Sequence, residues 1–431
     1  MRGQTVLTSK ITNFSQLLIN RVKFMKICLI NNLYEPYARG GAEKITKIIA
    51  NGLVKAGHEV FIITTSPYFK QLKITFAKDW RGQANCPPSL ALRRTSELRI
   101  YYLNSLYHNL NKYPKVLRLV WHIWNMFNFI NYFRIKKILK KAKCVAVVTN
   151  NLMGLGFLTP LAIRRLKIKH IHLVHDLQLI HPAGLLLFGQ ENMINGQWAR
   201  NYAGLCSRLF ASPKAVIFPS RWLRDRHLDK IFFIKSKRIV LPNPVAPALA
   251  VAALKDNEIF KFLYLGQIEK HKGLNLLIQA YKRIREKFPR TELIIAGVGS
   301  GLEQVKIEAG RDNSIKFLGR QDEAQVNKLL SVCQSLVVPT LCYENCPTVI
   351  LEAFSAGLPV LAADLGGISE LLGENTAGLL FRPGNVADLA DKMSWAIECP
   401  SDLTELARVG KEKVKQYSVE NYIKELEGLI N

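Results

Sequence analysis

The feature that most limits what this chain can fold into is a repeated alternation of short apolar runs with segments of helical period. KICLI at 26–30 is one such run, as a strand buried on both faces requires. The loop NNLYEPYARGG follows, then a helical pattern over 42–56 closed by Gly57, then a second run, HEVFIITT. Strand, loop, helix and strand in that order form a βαβ unit, and such units build parallel sheets. CVAVVTN at 144–150, KHIHLVHD at 169–176 and AVIFPS at 215–220 extend the same sheet. Residues 66–140 hold aromatic-rich helical stretches without clear alternation.

LPNPVAP at 241–247 is a proline-rich break that reads as a linker, and the rhythm restarts beyond it. FKFLYLG at 260–266 reads as a strand and LNLLIQAYKRIREKF at 274–288 as a helix. TELIIAG at 291–297, SIKFLG at 314–319, SLVVPT at 335–340, PVLAAD at 359–364 and AGLLF at 377–381 continue as strands. The expected organisation is an extension at 1–24, a first domain over 25–240, a linker over 241–257, a second domain over 258–400 and C-terminal helices over 401–431. Both domains are α/β and doubly wound. Open parallel sheets take ligands at the carboxyl ends of their strands, so the cleft between the domains is the expected site.

The net charge is +27, and all of the excess lies in one part. Residues 1–257 hold 40 Lys+Arg and 10 Asp+Glu, whereas residues 258–431 hold 20 and 23. This asymmetry directs the first domain toward a polyanion: a nucleic acid, an anionic membrane face or a phosphorylated substrate. Residues 121–143 read WHIWNMFNFINYFRIKKILKKAK, aromatic and aliphatic first, then basic at Arg134, Lys136, Lys137, Lys140, Lys141 and Lys143. Such a segment can lie in a bilayer interface; it reads equally as a core helix with a solvated end. A nucleic-acid binder would instead interleave stacking aromatics and cations on a recognisable module, which the sequence lacks. No uncharged apolar stretch reaches 18 residues and the first 24 lack a secretory signal, so no membrane-spanning helix is expected. The eight cysteines show no metal or disulfide spacing, which suits reduced thiols in a cytosolic setting. HIH at 170–172, with Asp176 and His181 nearby, lacks a carboxylate at matching spacing, so no metal is expected. GVGSG at 297–301 lacks dinucleotide-fingerprint spacing and reads as a tight strand–helix turn.

YENCPTVILEAFSAGLPV at 343–360 sets Glu344 in the loop after a strand and Glu352 in the second turn of a helix opened by Pro347. A helix N-terminus offers free amides to a phosphate, and carboxylates beside it would accept from hydroxyls. Taken alone, the two glutamates are a solvated loop residue and a helix-dipole partner.

The longer stretch PTLCYENCPTVILEAFSAGLPVLAADLGGISELL closely resembles the E-x7-E signature of the retaining GT-B glycosyltransferases of family 4. GGAEK at 40–44, VHD at 174–176, PNP at 242–244, GQIEKHKG at 266–273 and GGISE at 366–370 are similar to further family motifs, in order. The resemblance runs from about Met25 to the C-terminus and is weak between 66 and 140. It implies two Rossmann-like domains facing each other across a cleft, and sugar transfer from a nucleoside-diphosphate sugar with retention, needing neither cofactor nor metal. It implies that Glu352 holds the ribose hydroxyls and Glu344 the donor sugar. Amides near Pro347, Thr348 and Val349 would meet the phosphates, and Lys272 would neutralise the diphosphate. Gly41 would admit the phosphates, and His175 would sit near the anomeric carbon. Many members carry arginine where this chain has Gln267, which leaves more of the charge to Lys272. The expected acceptor is a glycan or a lipid-diphosphate-linked saccharide, in cell-surface polysaccharide, lipopolysaccharide or glycolipid biosynthesis. The expected location is cytoplasmic, peripheral on an anionic inner membrane face, with no nucleic-acid partner. A nucleotide-sugar epimerase or hydrolase of the same fold is the alternative.

Overall fold

The computed structural model describes residues 24–38, 40–67, 75–76, 98–246 and 258–431. Most of the expected extension, the later part of the linker and much of 66–97 lie outside the described residues. The first sheet is built from β1 (Lys26–Ile30), β2 (Glu59–Ser66), β3 (Thr75–Phe76), β4 (Arg99–Asn104), β5 (Ala146–Thr149), β6 (Lys169–Leu173), β7 (Ala215–Phe218) and β8 (Lys237–Val240). Its order is β3-β4-β2-β1-β5-β6-β7-β8, parallel except for the β3–β4 pair. The second sheet holds β9 (Phe260–Leu265), β10 (Thr291–Ala296), β11 (Ile315–Gly319), β12 (Ser335–Val338), β13 (Val360–Ala363) and β14 (Leu379–Phe381). It runs β11-β10-β9-β12-β13-β14 and is parallel throughout.

The strand order reverses between β1 and β5 in one sheet and between β9 and β12 in the other. Loops leaving the carboxyl ends at such a switch diverge to opposite faces and open a crevice. Central strands are apolar on both faces: Ile27, Leu29 and Ile30 of β1 are fully buried, as are Leu361 and Ala362 of β13. Strand β8 is half exposed at the sheet edge and keeps two cations, so it carried no apolar signature.

Eight helices matter for the site and its surroundings: α1 (Gly41–Lys55), α2 (Lys115–Met126), α3 (Phe129–Ala142), α4 (Arg221–Leu228), α5 (Leu274–Lys287), α6 (Thr348–Ala356), α7 (Pro400–Val414) and α8 (Val419–Ile430). The C-terminal helices divide between the two lobes. Helix α7 packs on α6 in the second lobe, where an added Cβ on Gly410 would sit 2.7 Å from the Phe354 ring. Helix α8 crosses back to the first lobe, and its Tyr422, Ile423 and Leu426 join the core formed by β1, β2 and the Ile45, Ile49 and Leu53 face of α1. His58 meets Glu427 at 2.7 Å, and the Lys169 ammonium donates to the Ile430 carbonyl at 2.7 Å.

Leu426 is fully buried in that shared core. Leu426→Ala is therefore expected to cost about 2–5 kcal/mol, read by chemical denaturation. A loss under about 0.5 kcal/mol, the scale of surface substitutions, would contradict the packing of α8 described here.

Candidate functional site

The second-lobe wall of the cleft is made by three loops that fix one another. After β9 the chain turns through Gly266 and Gln267 into a short turn at Lys270–Lys272. Gly273 ends that turn at φ 70°, and a Cβ there would lie 1.9 Å from the Pro339 carbonyl oxygen. Only glycine allows this approach. The Leu341 N–H donates to the His271 carbonyl at 2.9 Å, tying the loop to the segment after β12. That segment carries Glu344, whose backbone is held from the other side by the glycine pair. The Gly367 N–H donates to the Glu344 carbonyl at 2.7 Å, and a Cβ on Gly366 would meet the same oxygen at 2.3 Å.

The outcome is an ion pair in which the Lys272 ammonium donates to Glu344 Oε1. Burial works against the lysine's charge, but the carboxylate more than compensates, so its pKa stands above the ordinary value. Among the described residues lining the cleft, Lys272 is the one permanent cation. Gln267 also lines it and adds no charge. Beside the pair, Pro347 precedes α6, so Thr348 and Val349 supply the first-turn N–H groups that a helix leaves without internal partners.

The first-lobe wall presents His175 and Asp176 just beyond the end of β6. Burial lowers the His175 pKa to about 4, so the ring is neutral at pH 7; its Nε2 lies 3.3 Å from Asn150 Oδ1. Burial pushes the Asp176 carboxyl up to about 6, against hydrogen bonds from the Gln178 N–H at 2.8 Å and the Asn151 amide at 3.3 Å. Gly41 opens α1 on the same wall. A Cβ there would find only Thr348 Cγ2, at 3.8 Å, so protein packing alone does not require glycine. The two walls enclose a cavity of about 400 Å³, within the roughly 300–1,000 Å³ of ordinary small-ligand sites.

Eight of the residues selected from sequence, Gly41, His175, Gln267, Lys272, Glu344, Pro347, Thr348 and Val349, thus line one cleft. Glu352 does not. It lies one helical turn behind Thr348 and accepts from the Lys44 ammonium of α1 at 2.8 Å. His170 and His172 are both buried and both meet the Thr149 hydroxyl, at 2.8 and 2.9 Å.

Sequence reading passed over the groups that join the lobes. The Asn345 amide donates to the His175 carbonyl at 2.6 Å. The Asn243 amide, in the proline-rich segment, donates to the Cys346 carbonyl at 3.1 Å. Glu370 accepts from the N–H groups of Arg221 and Trp222 at 2.8 and 2.7 Å, capping α4 of the opposite lobe. No local pattern announces such a cap, because helix and carboxylate lie about 150 residues apart in sequence.

Residues 39–249 match the family model described as Glycosyltransferase Family 4, and residues 249–416 match the one described as Glycosyl transferases group 1. An uncharacterised 42.6 kDa protein in the cps region of Klebsiella pneumoniae is 25% identical over 358 residues, covering 80% of this chain and 87% of that protein. A phosphatidyl-myo-inositol mannosyltransferase of Mycobacterium leprae is 31% identical over 157 residues, which is 36% of this chain and 42% of the mannosyltransferase. In three dimensions the chain is similar to Anabaena HepE in complex with UDP, with a TM-score of 0.66, 17% identity, and 94% and 99% of the two chains covered. The fold is GT-B: two Rossmann-like parallel-sheet lobes facing across a cleft.

Asp176 supplies a test of the site's electrostatics. Its folded pKa of about 6 stands above the ordinary 3.8, so it favours the native state at low pH and loses that advantage as pH rises from about 4 through 6. Asp176→Asn is uncharged throughout. It is expected to match wild type below about pH 4 and to be more stable by up to ~3 kcal/mol above pH 7, read from apparent Tm against pH. Parallel curves for the two proteins would contradict this.

Proposed function

The chain belongs to glycosyltransferase family 4, and from that premise we propose that it transfers a sugar with retention from a nucleoside-diphosphate sugar to a hydroxyl of a glycan or lipid-linked saccharide. The observation that carries the reading is the Lys272–Glu344 pair set beside the first turn of α6. A cation and helix amides at one place suit a diphosphate, and the adjoining carboxylate suits sugar hydroxyls. Lys272 neutralises the negative charge that grows as the nucleoside diphosphate departs, a contribution made mainly in the transition state. A lysine fits this task because a mobile point charge follows the leaving group without planar registration.

Glu344 gives part of its hydrogen-bonding capacity to Lys272 and keeps the rest for the donor sugar. Glu352, one helical turn behind the Thr348 and Val349 lining, takes the ribose hydroxyls beyond that end of the cleft while still accepting from Lys44, since a carboxylate serves several donors at once. His175, neutral at working pH, orients donor and acceptor by hydrogen bonding rather than by charge. The space beside Gly41 receives the phosphates. Attack comes from the face that the diphosphate leaves, and the departing phosphate takes the acceptor's proton, so no protein nucleophile is needed. Contacts across the cleft hold the lobes together and keep water from the donor.

The UDP complex of HepE supports a nucleoside-diphosphate donor. The mannosyltransferase relative supports a lipid-borne acceptor, and the cps-region relative supports work in cell-surface polysaccharide or glycolipid biosynthesis.

Lys272→Ala and Glu352→Ala are each expected to lower kcat/KM for transfer by about 100-fold or more, with far-UV circular dichroism unchanged. Wild-type turnover in either would remove the assigned role. Gly41→Val is expected to fold normally and to lose the Tm increase that a matching UDP-, GDP- or ADP-sugar gives the wild type. An α-configured product, read from the anomeric coupling by NMR with an α-linked donor, is the outcome that retention demands.

A further inference from the structure

Half of the exposed large apolar side chains among the described residues fall between positions 106 and 133. On α2 they are Val116, Leu117, Val120, Ile123 and Trp124, a helical spacing that places them on one face. The opposite face buries Trp121, Asn125 and Met126 in the lobe. Helix α3 continues the outward surface with Phe129 and Phe133, 61% and 64% exposed. An apolar surface this continuous on a polar protein marks an interaction site.

What it meets is constrained by charge. Residues 101–150 contain nine Lys and Arg and no Asp or Glu. Arg134, Lys137, Lys140, Lys141 and Lys143 follow the apolar tips along α3 and its end, all exposed. Among the described residues, none of Lys137, Lys140 and Lys141 is ion-paired. A second copy meeting this face through a twofold axis would bring like charges together. Nucleic acid would satisfy the cations but offer no apolar phase for valine and phenylalanine. An anionic bilayer satisfies both at once, with acyl chains for the tips and headgroups for the lysines.

The face is also fastened to the cleft. Asn125 Oδ1 accepts the Gly154 N–H at 2.9 Å, and the Asn131 amide donates to the Gly154 carbonyl at 3.2 Å. Gly154 lies in the loop after β5, whose Asn150 meets the His175 ring. Buried asparagines thus connect the outward helices to the wall that carries His175.

We propose that the outer face of α2 and the start of α3 docks on and inserts into an anionic lipid bilayer, presenting the His175 side of the cleft to an acceptor sugar carried on a lipid. The inference deepens the lipid-linked acceptor reading and rests on it.

The test uses the full chain with phosphatidylcholine vesicles, with and without phosphatidylglycerol, in a flotation assay. Wild type is expected to float with the anionic vesicles only, and release by high salt should follow screening of the lysines. Phe129→Glu/Phe133→Glu and Lys137→Glu/Lys140→Glu/Lys141→Glu are each expected to weaken partition at least tenfold, with Tm and the nucleotide-sugar-induced Tm increase unchanged. Wild type remaining in the aqueous phase at low salt, or either variant floating like wild type, overturns the proposal. So does a wild-type dimer that the phenylalanine pair disperses without any vesicle binding. The donor-induced Tm increase is read separately, so its absence would count against the transferase reading and leave the flotation result to judge the membrane surface.

Discussion

The Lys272–Glu344 pair is the contact that the rest of the cleft is arranged to hold. Bringing opposite charges together in a half-buried place is favourable only when their geometry is fixed by something stiffer than the side chains. Here the stiffness comes from backbone. The Gly273 turn is pressed against Pro339, and the Gly366–Gly367 segment clasps the Glu344 peptide, so neither partner can drift. A cation held this way is ready for anionic substrate atoms without reorganising first, which is what electrostatic catalysis requires.

Fixing one wall is not enough for a reaction between two substrates. The opposite wall is linked to it by hydrogen bonds and an ion pair that each have one partner per lobe: Lys44 with Glu352, the His175 carbonyl with Asn345, and the N-terminus of α4 with Glu370. Each is modest in energy, of order 1 kcal/mol, and each is partly exposed to competing water. A closure made of several small contacts can be undone and remade as ligands come and go, whereas one large apolar interface could not. His175 and Asp176 sit against this seam with pKa values displaced in opposite directions, one ring kept neutral and one carboxyl made costly to ionise. Such displacement gathers where a protein sacrifices stability for a site.

The legible part of the fold was the part buried on both faces. Strands such as KICLI and VLAA must be apolar because helices cover both sides of them, so they stand out against the surrounding chain. Strand β4 and the edge strand β8 escaped because partial exposure relaxes that demand. The second-lobe site was legible because Lys272, Glu344 and the start of α6 lie on loops whose glycines and proline mark them locally. Asn345, Lys44 and Glu370 stand inside quoted stretches, but their roles were not legible, because those come from pairing across lobes, which no window of sequence displays. The inside-out character of α2 was visible only as aromatic richness; which side faced outward had to wait for the packing of Asn125 and Met126.

The return of α8 to the first lobe has a consequence for how the molecule is made. The lobe that leaves the ribosome first lacks part of its own core, since Tyr422, Ile423 and Leu426 are translated after the whole second lobe. The earlier half must therefore wait, with the α1 groove open to the surroundings, until the later half has emerged. Birth order and completion order are reversed: the lobe synthesised first is the lobe finished last.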